Sequence, residues 1–88
     1  MITFQQAVSN VKKQFPQCFV TSGFEFDGKF CFSVLSKNYR DQPMDAQHYY
    51  CVDKQTGEVL TFDWKKAIEK VDQFTELRDN ATLIDEVP

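Results

Sequence analysis

Hydrophobic and polar residues alternate along the chain with two different periods, and these periods mark out the secondary structure. Near the start, apolar residues recur at the spacing of one helical face. The residues of this stripe are Phe4, Ala7, Val8, Val11 and Phe15. Thr3 is a candidate N-cap because Gln6 stands at the capping-box spacing after it. Pro16 cannot extend a helix, so the helix is predicted to end near Gln14 or Phe15.

A β-hairpin is predicted around Asp27 and Gly28, because alternating apolar residues flank this turn signal on both sides. Before the turn they are Phe24 and Phe26, and after it they are Phe30, Phe32 and Val34. A two-residue turn would place the two Phe sets on opposite faces, against the burial of a single face. An odd loop restores a common face, with Gly28 left-handed in a bulge. The sequence leaves open whether the loop is 26–28 or 27–29.

Two more strands and a second helix are predicted in the rest of the chain. A polar loop covers residues 36–47, and a strand follows from about Gln47 to Asp53. A three-residue turn at 55–57, with a left-handed Gly57, leads into a short strand at 58–61. The last helix is predicted to begin near Phe62 or Asp63, with Thr61 or Asp63 as its cap. Its apolar face comprises Trp64, Ala67, Ile68, Val71, Phe74 and Leu77.

The element order predicts an α+β fold with an antiparallel sheet of three to four strands and both helices packed on one face. A single domain is expected over residues 1–80, and a tail over 81–88 either docks as an extended segment or hangs free. The apolar residues expected to meet are Val8, Val11, Phe15, Phe24, Phe30, Phe32, Ile68 and Val71.

The strand and turn from Tyr49 to Val59 carry a family resemblance. The run Tyr-Cys-Val-Asp-Lys-Gln-Thr-Gly-Glu-Val, after a helix and a strand at 30–34, resembles the PepSY domain pattern. Small immunity proteins of bacterial toxin systems are similar, with a helix, a curled sheet and the same kind of ending. The resemblance covers residues 3–60 and implies a non-enzymatic module that binds or inhibits another protein. PepSY-like domains are typically exported or membrane-attached, and the second helix lies outside their pattern.

Charge and composition narrow the classes of partner. The net charge of −3 gives no basic footprint for nucleic acid. The start of the chain shows no signal peptide, and no apolar run is long enough to span a bilayer. We therefore expect a cytoplasmic protein, with neither nucleic acid nor membrane as a partner.

The cysteines and the histidine give little indication of a catalytic or metal site. His48 and Cys51 are three residues apart on a predicted strand, so they point to opposite faces, and no C-x-x-C pair exists. Nothing in the local sequence activates a thiol. Cys31 is out of phase with the Phe face, so it is expected to be partly exposed and reactive without being catalytic. We predict no metal, no cofactor and no enzymatic activity.

The predicted partner-binding residues are Tyr39, Arg40, Met44 and Tyr49. The first three stand close together in a polar loop, and these residue types are enriched at protein interfaces. Tyr49 is expected on an open outer face of the sheet. The leading hypothesis is an immunity or inhibitor protein, bacterial or encoded by a phage or mobile element, that occludes a partner protein. The alternative is a structural domain that forms a homodimer through an edge strand or its aromatic sheet face.

Overall fold

The computed structural model describes residues 1–41 and 46–87, and within them five strands form one antiparallel sheet flanked by helices. The sheet order is β4-β3-β2-β1-β5. The α+β class is confirmed, with five strands where three to four were predicted. The elements are α1 (Phe4–Gln14), β1 (Cys18–Phe26), β2 (Lys29–Ser36), β3 (Gln47–Asp53), β4 (Val59–Thr61), α2 (Trp64–Glu69), α3 (Val71–Asp79) and β5 (Thr82–Leu83).

The first helix begins and ends where its sequence signals predict. The Thr3 hydroxyl accepts a hydrogen bond from the Gln6 N–H, and the Gln6 side chain accepts one from the Thr3 N–H. This reciprocal pair satisfies two N–H groups that have no partner within the helix. The helix buries Ala7, Val8 and Val11 against the sheet.

The hairpin between β1 and β2 has a two-residue turn, so the predicted odd loop is wrong. Phe26 pairs directly with Lys29, and the two residues between them are both left-handed, with φ 52° at Asp27 and 72° at Gly28. Two positive φ angles are the signature of a type I′ turn, whose twist matches that of the flanking strands. The two Phe sets therefore lie on opposite faces of the sheet, which is the arrangement that the sequence prediction excluded.

A bulge at Thr21 reinforces this division by changing the phase of β1. Val20 pairs with Val34, but Ser22 pairs with Ser33, which leaves Thr21 as the extra residue. A one-residue shift moves every later side chain to the other face. Val20 therefore lies on the face of Val34, whereas Phe24 lies on the opposite one.

Two separate hydrophobic cores result, one on each face of the sheet. The core under α1 consists of Ala7, Val8, Val11, Val20, Phe32, Val34 and Val52. The core under α2 and α3 consists of Phe24, Phe26, Cys31, Cys51, Phe62, Ala67 and Phe74. The prediction that the first and last helices share a face is wrong, because both faces are covered and a single-face pattern does not apply.

The predicted last helix is broken in two at Lys70, whose φ of −120° and ψ of 44° are not helical. Asp63 caps the first part as predicted, since its side chain accepts a hydrogen bond from the Lys66 N–H. Ala67 and Phe74 are buried, but Ile68 and Val71 are exposed. The expectation that Ile68 and Val71 join the core is therefore wrong.

The C-terminal segment docks on the free edge of β1, which settles the alternative left open by the sequence. Ser22 pairs with Leu83, and the Thr21 carbonyl at the bulge accepts a hydrogen bond from the Ile84 N–H. The Asp85 carboxylate accepts hydrogen bonds from the Val20 N–H and from Lys12 in α1. In the part of the chain that the structure describes, no helix has the length and apolar character needed to cross a membrane.

Candidate functional site

The core under α1 is called the first core below, and the core under α2 and α3 the second core. A cluster of aromatic rings forms the centre of the second core, on the side of the molecule where α2 begins. Phe74 of α3 is its hub, because five other rings surround it at centroid distances of 5.4 to 6.2 Å. Such distances are typical of offset and edge-to-face packing, which stabilises aromatic pairs beyond their area burial. The rings around Phe74 are Phe24, Phe26, Tyr49, Phe62 and Trp64.

Trp64 lies at the outer margin of this cluster and is 51% exposed. Its ring centroid is 4.8 Å from that of Phe62 and 5.5 Å from that of Tyr49. The indole therefore packs against Phe62 and Tyr49 on one side and faces solvent on the other. Its rotamer freedom is already restricted, so little entropy remains to be lost if another molecule contacts it.

Two further large apolar side chains follow Trp64 on the helices and are more exposed. Ile68 is 74% exposed, and Val71 is 55% exposed. Trp64 and Ile68 are four residues apart on α2, which makes them neighbours on one side of that helix. Val71 begins α3 immediately after the break at Lys70. We refer to Trp64, Ile68 and Val71 as the helical apolar patch.

The residues interleaved with the helical apolar patch are polar, exposed and of mixed charge. An apolar centre with a charged margin is the usual composition of a protein-binding surface. All five of these polar residues are exposed. They are Lys65, Glu69, Lys70, Asp72 and Gln73.

The predicted binding loop is described only in part. Tyr39 is half-buried and Arg40 is exposed, with the Arg40 Nε donating a hydrogen bond of 3.2 Å to the Tyr39 hydroxyl. Met44 lies outside the described residues. The loop connects the end of β2 to the start of β3, and Trp64 lines a surface cleft together with Gln47 and His48 at that start. Tyr39 and Arg40 therefore lie toward the same end of the sheet as Trp64.

Tyr49 does not lie on an open outer face, so that expectation is wrong. Its face of the sheet is covered by α2 and α3, and Tyr49 is half-buried among Phe24, Phe62, Trp64 and Phe74. Tyr49 therefore packs against Trp64 from the side of the sheet. Its position in β3 contributes to the helical apolar patch indirectly, through the orientation of the indole.

Cys31 is also not exposed, contrary to the sequence expectation. It is 0% exposed, and its sulfur lies 3.3 Å from that of Cys51, which is 5% exposed. The two residues are direct partners in the pairing of β2 with β3. Cys18 lies separately, half-buried at the start of β1.

His48 and Cys51 point to opposite faces of β3, as their spacing predicts. The His48 ring lies near Tyr50, which packs with the first core, whereas Cys51 belongs to the second core. Among residues 1–41 and 46–87, no group of three or more His, Cys, Asp or Glu side chains is arranged to hold a metal ion.

The sequence contains a signal for the helical apolar patch that the single-stripe interpretation missed. At about 100° per residue, the six apolar positions from Trp64 to Leu77 cover roughly 180° of an unbroken helix, which is wider than one buried stripe requires. Ala67, Phe74 and Leu77 fall on one half of this arc and pack on the second core. Trp64, Ile68 and Val71 fall on the other half.

Comparison of the chain with family models, with curated proteins and with solved structures finds no match. The resemblance to PepSY domains and to small immunity proteins therefore stays a prediction.

Proposed function

We propose that this chain is a small protein-binding module and that the helical apolar patch is its contact surface. The observation that carries the proposal is the exposure of Trp64, Ile68 and Val71, at 51, 74 and 55%. A folded domain gains stability by burying such side chains, and this one leaves three of them in water near one another. Exposed apolar patches with a polar margin mark protein interaction sites.

Trp64 would be the anchor of this surface. Tryptophan is among the residues that contribute most to binding energy when a partner covers them, particularly at the centre of an interface. The neighbouring Phe62 and Tyr49 rings hold the indole in place, which favours recognition with little rearrangement. Arg40 and Tyr39, toward the same end of the sheet, would extend the contact beyond the helices.

The class of module that agrees best with these features is an immunity or inhibitor protein that occludes a site on its partner. A rigid apolar surface on a domain of 88 residues can cover another protein's site without chemistry of its own. The resemblance of the segment at 49–59 to small immunity proteins is in line with this class. The predicted cytoplasmic location, and an origin in a bacterium, phage or mobile element, belong to the same proposal.

A homodimer is the second candidate, and the same patch would be its interface. The strands at the two edges of the sheet, β4 and β5, contain three and two residues. Such short edges offer few backbone groups for pairing with another chain. Self-association through the helical apolar patch is therefore favoured over edge-strand pairing.

An affinity capture from lysate of the source cells tests the proposal with matched variants. Ile68→Glu places a charge in the patch, and Leu83→Glu places the same charge on another exposed apolar residue, 85% exposed on β5. We expect one stoichiometric partner that is lost with Ile68→Glu and retained with Leu83→Glu. Capture that is unchanged by Ile68→Glu would contradict the proposal. Sedimentation of the purified chain distinguishes the homodimer from a complex with another protein. A homodimer would sediment as a dimer on its own and would dissociate with Ile68→Glu.

A further inference from the structure

A buried pair of thiols joins the two central strands of the second core. Cys31 and Cys51 are direct partners between β2 and β3, with their sulfur atoms 3.3 Å apart. Asp53 donates its backbone N–H to Glu58, toward β4, and strand alternation directs the backbone of Cys51 the same way. The two cysteines are therefore a non-hydrogen-bonded pair, with Cα atoms about 4.5 Å apart. A disulfide bridges Cα separations of roughly 4.4 to 6.8 Å, so this pair can close without backbone movement.

A cavity of about 170 Å³ reaches Cys51 from outside. Its walls include the rings of Phe26 and Phe62 and the side chains of Lys29 and Lys66. One water molecule needs roughly 10 to 15 Å³ of such space, so the cavity admits a molecule as small as hydrogen peroxide. Cys31 is 0% exposed, so the two sulfurs differ in access.

The surroundings of the two sulfurs shift their pKa values in opposite directions. The hydrogen bond between the two sulfurs lowers the pKa of Cys51, and the Asp63 backbone N–H and the charge of Lys29 act in the same direction. Burial and the Asp63 carboxylate act against this shift without cancelling it. The same hydrogen bond, followed by burial and by the negative charge of Cys51, raises the pKa of Cys31. Cys51 is therefore the sulfur that loses its proton more readily, and the thiolate is the nucleophilic form.

We propose that Cys51 and Cys31 form a peroxide-reactive dithiol site, in which the cavity admits a small hydroperoxide, Cys51 attacks it and Cys31 resolves the product. The proposal rests on three features of the geometry: the strand pairing, the contact between the sulfurs and the one-sided access through the cavity. It is independent of the helical apolar patch, because neither sulfur belongs to that surface.

Each step balances with hydrogen peroxide as the oxidant. The Cys51 thiolate attacks one peroxide oxygen, an S–O bond forms, the O–O bond breaks and hydroxide leaves, to be protonated to water. Cys51 is oxidised by two electrons to a sulfenic acid, and the peroxide is reduced. The Cys31 sulfur then attacks the Cys51 sulfur, an S–S bond forms and the S–O bond breaks. A second water leaves with the proton of Cys31, and the product is a cross-strand disulfide.

Oxidation of the reduced, full-length chain with hydrogen peroxide tests the site, with mass spectrometry of the intact chain and of its peptides as the readout. We expect the loss of two hydrogen atoms, a linked Cys31–Cys51 peptide, and Cys18 still alkylatable. In Cys31→Ser, the sulfenic acid has no resolving partner and is expected to be trapped on Cys51 by dimedone. Cys18→Ser is the matched control and should leave the rate of disulfide formation unchanged.

Three results would overturn the proposal. The first is oxidation of Cys18 as fast as that of Cys51, since we expect Cys51 to react at least about tenfold faster. The second is a dimedone adduct on Cys31 in Cys51→Ser that forms as fast as the Cys51 adduct in Cys31→Ser, which would remove the assigned order of attack. The third is a wild-type chain that keeps all its thiols under peroxide. The third result is judged on wild type and Cys18→Ser, which leave the core unchanged. Circular dichroism checks that Cys31→Ser and Cys51→Ser still fold.

Discussion

Gly23 approaches Phe32 so closely that a Cβ atom on Gly23 would lie 2.6 Å from two carbon atoms of the Phe32 ring. The same Cβ would lie 2.8 Å from the ring of Phe4. Phe32 is 0% exposed at the centre of the core under α1, so its ring is enclosed by other core residues. Packing against these two rings, and not a turn, is therefore what requires a glycine at this strand position.

Gly23→Ala should destabilise the fold by about 1 to 3 kcal/mol, because an added methyl group overpacks a filled core. Urea unfolding of the variant against the wild type measures the change. Gly28→Asn is the matched comparison, since a Cβ there meets nothing within 4 Å and Asn tolerates a left-handed backbone. Equal stability of Gly23→Ala and wild type would show that the two rings do not fill this space.

Asp85 is expected to make stability depend on pH in the acid range. Burial acts to raise the pKa of Asp85, but the hydrogen bonds from Lys12 and the Val20 N–H together hold this pKa below its usual value. Its contribution is therefore present above the pKa of the unfolded chain and is lost as pH falls through the folded value.

Asp85→Asn should destabilise the protein by about 1 kcal/mol at neutral pH, because the amide keeps the shape but loses the charge that Lys12 contacts. Thermal unfolding at neutral pH and at about pH 2.5 measures the difference between variant and wild type. We expect the difference to shrink in acid. A difference that stays constant over this range would contradict a stabilising charge on Asp85 that is lost in acid.

Phe74 and Ile68 should respond very differently to truncation, although the apolar pattern places both on one helical stripe. Phe74→Ala removes the ring at the hub of the aromatic cluster and should cost about 3 to 5 kcal/mol. Ile68→Ala removes a side chain that is 74% exposed and should change stability by less than about 0.5 kcal/mol. Chemical unfolding of both variants distinguishes them. A large loss from Ile68→Ala would mean that Ile68 is part of the core.

A separate double variant tests whether the predicted binding loop contacts the partner. Replacement of Arg40 and Met44 together by Ala should abolish partner binding without a change in the melting temperature. Arg40 is exposed, so its loss removes contacts with the partner and leaves the core intact. Affinity capture and thermal unfolding of the double variant are the measurements. Binding that survives both changes would restrict the contact surface to the helices.

Local signals in the sequence predicted the individual elements well. The capping box fixes the start of α1, Pro16 follows its end, and the left-handed Gly57 with φ 76° closes the turn between β3 and β4. Each of these features depends on a few adjacent residues, so it can be read without knowledge of the rest of the fold. The predicted bounds of β3, Gln47–Asp53, agree with the structure for the same reason.

The faces of the sheet could not be predicted in this way, because they depend on how strands and helices meet. The extra residue at Thr21 leaves no mark in the alternation, and the type I′ turn at Asp27 and Gly28 was rejected only because one buried face was assumed. The turn separates Phe24 from Phe32, and the bulge separates Phe24 from Val20. The helix break at Lys70 is likewise not marked by a Gly or Pro in the sequence.

The candidate site was predicted only in part for the same reason. Tyr49 was singled out, but its contact with Trp64 depends on α2 covering that face of the sheet. The pairing of Cys31 with Cys51 follows from the register of β2 and β3, which their sequence positions alone do not specify.

The most direct test of the proposed function is photo-crosslinking in the source cells, with a photoreactive amino acid placed at position 68 or, as the control, at position 83. Both positions are exposed, and only position 68 belongs to the helical apolar patch. The proposal predicts a crosslink from position 68 to one other protein and none to that protein from position 83. A crosslink from position 68 to a second copy of the chain would favour the homodimer. Crosslinking that is absent from position 68, or equal from both positions, would contradict a binding function for this surface.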